Sequence, residues 1–434
     1  MPLALPVLSA DGAHWQSQWH ATHRMRDSAL ASFLQNLLES PRVKLRRLPE
    51  DFQVEELTDL VTHNGPFALY RLTKTSIGTP EAITAIVERW KVPRKRISYG
   101  GLKDRHAVTT QHLTIHSGPR KALRQDSFAL EYLGQTNAPF TPTDFHGNRF
   151  QLVLRDMQPA EVEKAQAAIT QVQQTGLPNY FDDQRFGSLG VSGDWIARAW
   201  CLSDWERALW LALADPHVND SSAEKQQKQL LRELWGQWPE CQQRLDRSHR
   251  RSIVTHLSDK VKVGRDPDFR GALARINIDL RGLYLSAYQS ALWNRWLTRF
   301  IEAHSDPASL ASFDLLSGRC VFPLALSTEA AATLHVAELQ LPCARIERPE
   351  GLPGDLLDAV LQEEKIELRE IRVKYPRDSF FSKGMRRVLI RPAGLTCSVA
   401  DDELHERRSK LTLSFDLPRG SYATILVKRL TDVA

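Results

Sequence analysis

The stretch Gly147-Asn-Arg-Phe-Gln-Leu-Val-Leu-Arg155 alternates with a period of two and is the clearest strand in the chain. Asn148, Phe150, Leu152 and Leu154 share one face, while Arg149, Gln151, Val153 and Arg155 share the other. One face is therefore core that begins with an amide and an aromatic ring. Two readings stand at this point. The Asn ends a strand above a core Phe, or the pair reads the edge of a base and stacks on it. A helix follows from Pro159 to about Gln174, with Val162, Ala165, Ile169 and Val172 inward and Gly176 as its stop.

At 434 residues the chain is long for one core, and the size prior favours two or three domains. Val43 to Glu56 has strand-like alternation broken by Pro49, and Phe67 to Thr73 reads as its partner strand. Thr79 is expected to cap a helix with Pro80 at its first position and Ile83, Ile86, Val87 and Trp90 on one stripe. Farther on, Asp194 to Asp215, Ala223 to Trp238 and Arg281 to His304 have helical spacing. The last carries Leu283, Ala287, Ala291, Leu292, Trp296 and Phe300 on one stripe. Leu411 to Phe415 returns as a strand, and Pro418 to Ser421 turns into a last element that is a short helix or a strand.

Between the first helix and the clearest strand lies Tyr99-Gly-Gly-Leu-Lys-Asp-Arg-His-Ala-Val-Thr-Thr-Gln111. It sets Asp104 between Lys103 and Arg105 on a loop that feeds a half-buried strand from His112 to His116. The glycine pair allows a positive φ or a close backbone approach. An Asp flanked by cations is ionised at neutral pH, which suits a nucleophile better than a general acid. A solvated charged turn explains the same triplet. The run Asn179 to Gly187 packs three aromatics around Arg185 and must be held by specific contacts rather than by a ladder.

Charge and cysteine usage narrow the class. The net charge is +5 and the pI near 8.9, which permits a nucleic-acid partner without demanding one. Basic clusters at 91–96, at 244–251 and at Lys260, Lys262 and Arg265 are either phosphate grips or solvated helix ends. Five scattered cysteines with no CxxC pair argue against a zinc site and a disulfide framework, so no metal is expected. No stretch approaches a membrane span, and no secretory signal is evident; the expected setting is the cytoplasm, with no membrane contact. Residues 1–41 read as an extension in which Trp15, Trp19 and several basic residues serve either packing or RNA stacking.

Together these stretches resemble the TruD-type pseudouridine synthase family. The resemblance rests on GLKDRHAVTTQ (101–111), LPEDFQVEE (48–56), GNRF (147–150), NYFDDQRFG (179–187), LSAYQSALWNRW (285–296) and LPRGSYATILVKRL (417–430), in the family's order. Residues before 41 and much of 190–375 match no motif.

The resemblance implies an α+β fold: a catalytic domain around a mixed, mostly antiparallel sheet, with a helix-rich inserted domain. The expected division is an extension at 1–41, catalytic sequence at 42–189 and 386–434, and an inserted RNA-binding TRUD domain at 190–385. It implies an RNA uridine isomerase without a cofactor, acting as a monomer on tRNA, at uridine 13 of the D-stem as in bacterial relatives. Asp104 takes the nucleophile's place, Phe150 the base-stacking position and Asn148 that of its companion amide. Arg46 falls where the family has a lysine that holds the carboxylate, and a planar fork there replaces a point charge. Lys103, beside the nucleophile, is assigned to substrate phosphate or to orienting a carboxylate. Asp182 stands where the family often has glycine. Two alternatives accompany this reading: an inactive RNA-binding protein or RNA chaperone of the same fold, and an aspartate-nucleophile glycosidase. The second is disfavoured because no second carboxylate recurs at suitable spacing.

Overall fold

The computed structural model describes residues 44–433. The expected N-terminal extension therefore lies outside the described residues. Ten strands form the main sheet. In chain order they are β1 (Lys44–Leu45), β2 (Phe52–Leu57), β3 (Phe67–Thr75), β4 (Ile97–Tyr99), β5 (Val108–His116), β6 (Leu123–Gln125), β7 (Phe128–Thr136), β8 (Gly147–Met157), β9 (Ala393–Asp401) and β10 (Ser409–Pro418). Their spatial order is β9-β10-β8-β2-β5-β3-β7-β6, with β1 on β8 and β4 on β5. Only β2 against β5 is parallel among these pairs. The sheet is thus mixed and mostly antiparallel, inside an α+β fold.

The period-two strand is observed as β8. Phe150, Leu152 and Leu154 are buried on one face, and Arg149 and Gln151 are exposed on the other. On that outer face Arg155 breaks the rule, at 4% exposure. It is enclosed by carboxylates, with Nε on Asp51 at 2.9 Å, Nη1 on Asp402 at 2.9 Å and Nη2 on Glu403 at 3.1 Å. Burial would raise the Asp402 carboxyl. The Asp156 and Leu404 N–H groups, His405 and Arg155 more than offset this and hold it well below the usual carboxylate range.

Four helices matter for the site: α1 (Thr79–Trp90), α2 (Pro159–Thr175), α3 (Ile278–His304) and α4 (Ala423–Thr431). Helix α2 buries Val162, Ala165, Ile169 and Val172 as its spacing predicts, and Gly176 at φ 78° stops it. Helix α4 settles the last element as a helix. It packs beside α2, which lies against β9 and β10. Helix α1 covers β3, β5 and β7 with a separate core. Residues 190–385 are mostly helices crossed by the 27-residue α3, whose Tyr288, Trp293 and Trp296 are fully buried.

Several expectations need correction. Strand β3 exists but pairs with β5 and β7, not with the 52–57 strand, because β5 inserts between them. Strand β5 is buried on both faces from Gln111 to Ile115, since α1 covers one side and the 140–145 loop the other. Thr79 does not cap α1; Gly78 is the N-cap, and the Thr79 hydroxyl is used elsewhere. The predicted helix from Asp194 to Asp215 divides into Ile196–Cys201 and Trp205–Leu213. Ser203 takes a left-handed φ of 64° at the break, and Asp204 caps the second piece. Leu283, placed on the buried stripe of α3, is 54% exposed.

Removing Arg155 leaves Asp51 and Asp402 buried without their cation. Breaking such a pair costs about 3–5 kcal/mol. Arg155→Met should lower the unfolding free energy by that amount in urea titrations at pH 7. A loss under 1 kcal/mol would show that the carboxylates find other partners.

Candidate active-site cleft

Arg46 leaves β1 with a left-handed φ of 64°, a conformation that costs a non-glycine residue about 1–2 kcal/mol. That turn lays its guanidinium over the Phe52 ring, 3.9 Å from the centroid, and aims Nη2 at Asp104 Oδ2, 3.0 Å away. The side chains are 23% and 36% exposed, so the pair contributes at most about 1 kcal/mol to stability. Its consequence is orientation. One carboxylate oxygen is fixed, and the carboxyl faces open space.

The loop carrying Asp104 is held from beneath. Lys74 on β3 has no exposed surface. Its ammonium donates to the carbonyls of Asp104 at 2.7 Å and Ile77 at 2.8 Å. Burial pushes the Lys74 pKa down to about 8, against the pull of the Asp104 and Glu81 carboxylates. The Thr79 hydroxyl accepts the Lys103 N–H at 3.1 Å and donates to the Gln111 amide oxygen at 2.8 Å; Gln111 in turn donates to Gly101 O at 3.2 Å. Of the glycine pair, Gly100 is required by close approach, because a Cβ there would lie 2.7 Å from the Phe145 ring. Gly101 has open space and no positive φ, so neither reason applies to it.

Lys103 turns away from Asp104. Its ammonium lies 2.6 Å from Asn148 Oδ1 and 3.2 Å from Glu56 Oε1, 4.8 Å from the Phe145 ring centroid, and the side chain is 9% exposed. Glu56 is itself buried and also accepts the His112 N–H at 2.7 Å. An ammonium only donates, so the Asn148 atom it meets is the carbonyl oxygen. The amide NH2 is then what Asn148 can offer a ligand. Phe150 is 6% exposed, with one face on Phe415 (centroids 5.4 Å apart, planes at 20°) and Phe52 edge-on at 6.3 Å.

All five candidates, Arg46, Lys103, Asp104, Asn148 and Phe150, line one cleft of about 210 Å³. Its other wall is Gln184 with residues 421–424. That wall is the 179–187 loop braced against α4. The Asp182 carboxylate accepts the Thr424 hydroxyl at 2.7 Å, Asp183 accepts the Lys428 ammonium at 2.6 Å, and Arg185 donates to the Tyr422 hydroxyl at 3.0 Å. Asp182 has φ −86°, so the replacement of glycine there costs no backbone strain. Arg386 lies over the Phe181 ring at 4.1 Å and donates to Asn179, as a brace of the loop. Among the described residues no group of three or more His, Cys, Asp or Glu could hold a metal, and no helix is long and apolar enough to cross a membrane.

Sequence reasoning missed Lys74, Glu56, Gln184 and the 421–424 wall. The signal for Lys74 was a lysine continuing an apolar strand; Glu56 was the last acid of the LPEDFQVEE stretch. Gln184 and Tyr422 lay in the quoted 179–187 and 417–430 motifs without an assigned role, since only tertiary packing brings them to the cleft.

The chain matches the family model for tRNA pseudouridine synthase D (TruD) over residues 38–430. It is 30% identical over 401 residues to a Methanococcus maripaludis protein described as probable tRNA pseudouridine synthase D 1, covering 90% of this chain and 100% of the relative. An Aquifex aeolicus tRNA pseudouridine synthase D is 26% identical over 400 residues, covering 89% of this chain and 98% of that protein. A crystal structure from Methanosarcina mazei, described as a putative tRNA pseudouridine synthase D, superposes with a TM-score of 0.68 at 25% identity, covering 90% of this chain and 94% of that one.

The Lys74 site gives a pH prediction. Its folded pKa of about 8 lies below the unfolded value, so the unfolded state binds more protons between about pH 8 and 10.4. Lys74 therefore adds stability above that window and loses it as pH falls through about 8. The unfolding free energy of wild type relative to Lys74→Met should rise from pH 8 to pH 10 in urea titrations. A difference that stays flat or falls would mean the ammonium is not desolvated.

Proposed function

The chain belongs to the tRNA pseudouridine synthase D family, and with it to the isomerases; from that premise we propose that it converts a uridine of tRNA, uridine 13 of the D-stem, into pseudouridine at Asp104. The observation that carries the reading is the Arg46–Asp104 pair at 3.0 Å, opening into a cleft with Asn148 and Phe150 on its wall. At about 210 Å³ the cleft is below the range of drug-sized pockets and suits one base.

In this reading the target nucleotide is flipped out of its stack. Asp104, oriented by Arg46, acts as the nucleophile that assists detachment of uracil from C1′. The freed base is held between the apolar wall at Phe150 and the Asn148 NH2 while it rotates. C5 then replaces N1 on C1′, the C5 proton leaves and N1 takes up a proton, so that the product is an isomer of the substrate. Lys103 acts by orienting Asn148 through the Glu56–Lys103 pair rather than on phosphate. Arginine at position 46 keeps the role of the family's lysine, since its Nη2 reaches the carboxylate. No cofactor is called for by an isomerisation with no net redox change.

The reading extends to the domains. Residues 42–189 and 386–434 form the catalytic unit, supported by the sheet that draws its strands from 44–157 and 393–418. Residues 190–385 form the RNA-binding insertion, supported by the hollow of about 560 Å³ where Arg46 and Asp104 meet Gln184, His217 and Asn219.

Asp104→Asn should abolish tritium release from tRNA carrying 5-³H-uridine while leaving tRNA affinity within about threefold of wild type, because affinity rests on phosphate contacts spread over both lobes. Loss of binding together with activity would make the carboxylate structural. Binding without tritium release by wild type would favour the RNA chaperone.

A further inference from the structure

Gln184 stands where three cavities meet: the Asp104 cleft, the 560 Å³ hollow beside it, and a third of about 540 Å³ deeper in the helical half. The hollow and the third cavity also share Gly187, Gly190, His217 and Asn219, so they form one trough. The trough ends against the first turns of α3, at Leu280, Leu283 and Tyr284. Leu280 is 41% and Leu283 54% exposed, although every apolar residue of α3 from Leu285 to Ile301 is buried. Apolar side chains gathered on the floor of a concave site, rather than scattered singly, mark a binding surface.

The rim above that floor is polar but nearly neutral. Asp220 is paired with Lys228 at 2.8 Å, and Glu224 with Arg250. Asp215 is tied to the Ser192 hydroxyl at 2.6 Å, and burial pushes its carboxyl up to about 6. His217 Nδ1 accepts the Asn219 N–H at 3.2 Å, which leaves the ring proton on Nε2, and burial keeps its pKa below the usual imidazole range. Lys228 and Arg250 are matched by acids, and the remaining guanidinium of the lining, Arg185, is engaged with the Tyr422 and Ser286 hydroxyls, an arrangement poor for phosphate. An apolar floor with amide and imidazole donors at its edge suits a nucleobase.

We propose that this cavity receives a second unstacked nucleobase of the same tRNA strand that delivers its uridine to Asp104, with its face on Leu283 and Tyr284 and its edge toward His217 and Asn219. The inference rests on the synthase reading, which supplies the strand. Continuity with the Asp104 cleft selects the occupant, because RNA anchored at the target can run along the trough. Substrate choice would then depend on an unpaired base apart from the target as well as on the target itself.

The test is a cycle between protein and RNA. The double variant Leu283→Ala/Asn219→Ala changes two exposed side chains and should fold. With unmodified tRNA transcripts it should raise KM for tritium release about tenfold while kcat stays within twofold, in line with the loss of one base contact. Transcripts carrying a single abasic nucleotide at successive positions of the D arm are then compared. One of them should weaken wild type by a similar factor and the variant no further. An unchanged KM in the variant, or losses that multiply for every abasic position, would overturn the proposal. Filter-binding Kd values for the same pairs separate the two claims. Absence of tritium release from wild type would count against the synthase reading, while the Kd cycle would still decide whether the cavity holds a base.

Discussion

Strand β8 is the frame against which the cleft is built. On one edge it pairs with β2, which sets Val54 opposite Phe150 and Glu56 opposite Asn148. On the other it pairs with β10, which sets Phe415 opposite Phe150 and Leu417 opposite Asn148. The same first edge holds β1, whose exit turn throws Arg46 outward. A slip of one residue on either side would turn the Asn148 and Phe150 face to solvent. Both registers are pinned by the stacked and edge-on rings of Phe52, Phe150 and Phe415, and at the far end by Arg155 among its carboxylates. Chain segments more than 260 residues apart, such as Arg149 and Asp416, are brought face to face by this pairing.

Above this frame, two charged layers divide the work. The exposed layer is Arg46 with Asp104, weak in energy but specific in direction. The buried layer is Lys74, Lys103 and Glu56, where desolvation makes each charge costly unless it is fully engaged. Lys74 spends its donors on backbone carbonyls and Lys103 on Glu56 and Asn148. The loop bearing Asp104 is therefore held from beneath and open above, as the proposed meeting with a flipped base requires.

How much of this was legible depends on the range of the interaction. The alternation of β8, the stripe of α2 with its Gly176 stop and the position of Asp104 before a strand are local, and the sequence carried them. The 179–187 run was readable as a held loop because no periodicity could explain its aromatics. Strand neighbours were not readable: the partner of β3 depends on β5 arriving later in the chain and inserting between β2 and β3. Thr79 had the chemistry of a cap, yet its hydroxyl is bound to Gln111 and Lys103, a tertiary use that propensity cannot foresee. Leu283 fitted a buried stripe and is exposed where the first turns of α3 line the trough. Lys103 was assigned to phosphate or to a carboxylate; the structure engages it with the carboxylate of Glu56, which lay in a quoted motif without an assigned role.

The central claim is that the Arg46-held carboxylate isomerises uridine in tRNA. It is tested most directly by mapping pseudouridine at nucleotide resolution, by carbodiimide modification and primer extension, in unmodified tRNA incubated with the wild-type protein, with free uracil assayed in the same samples. The account predicts conversion at a single D-stem uridine and no free uracil. Bound tRNA with every uridine unchanged, or uracil released without pseudouridine, would contradict it.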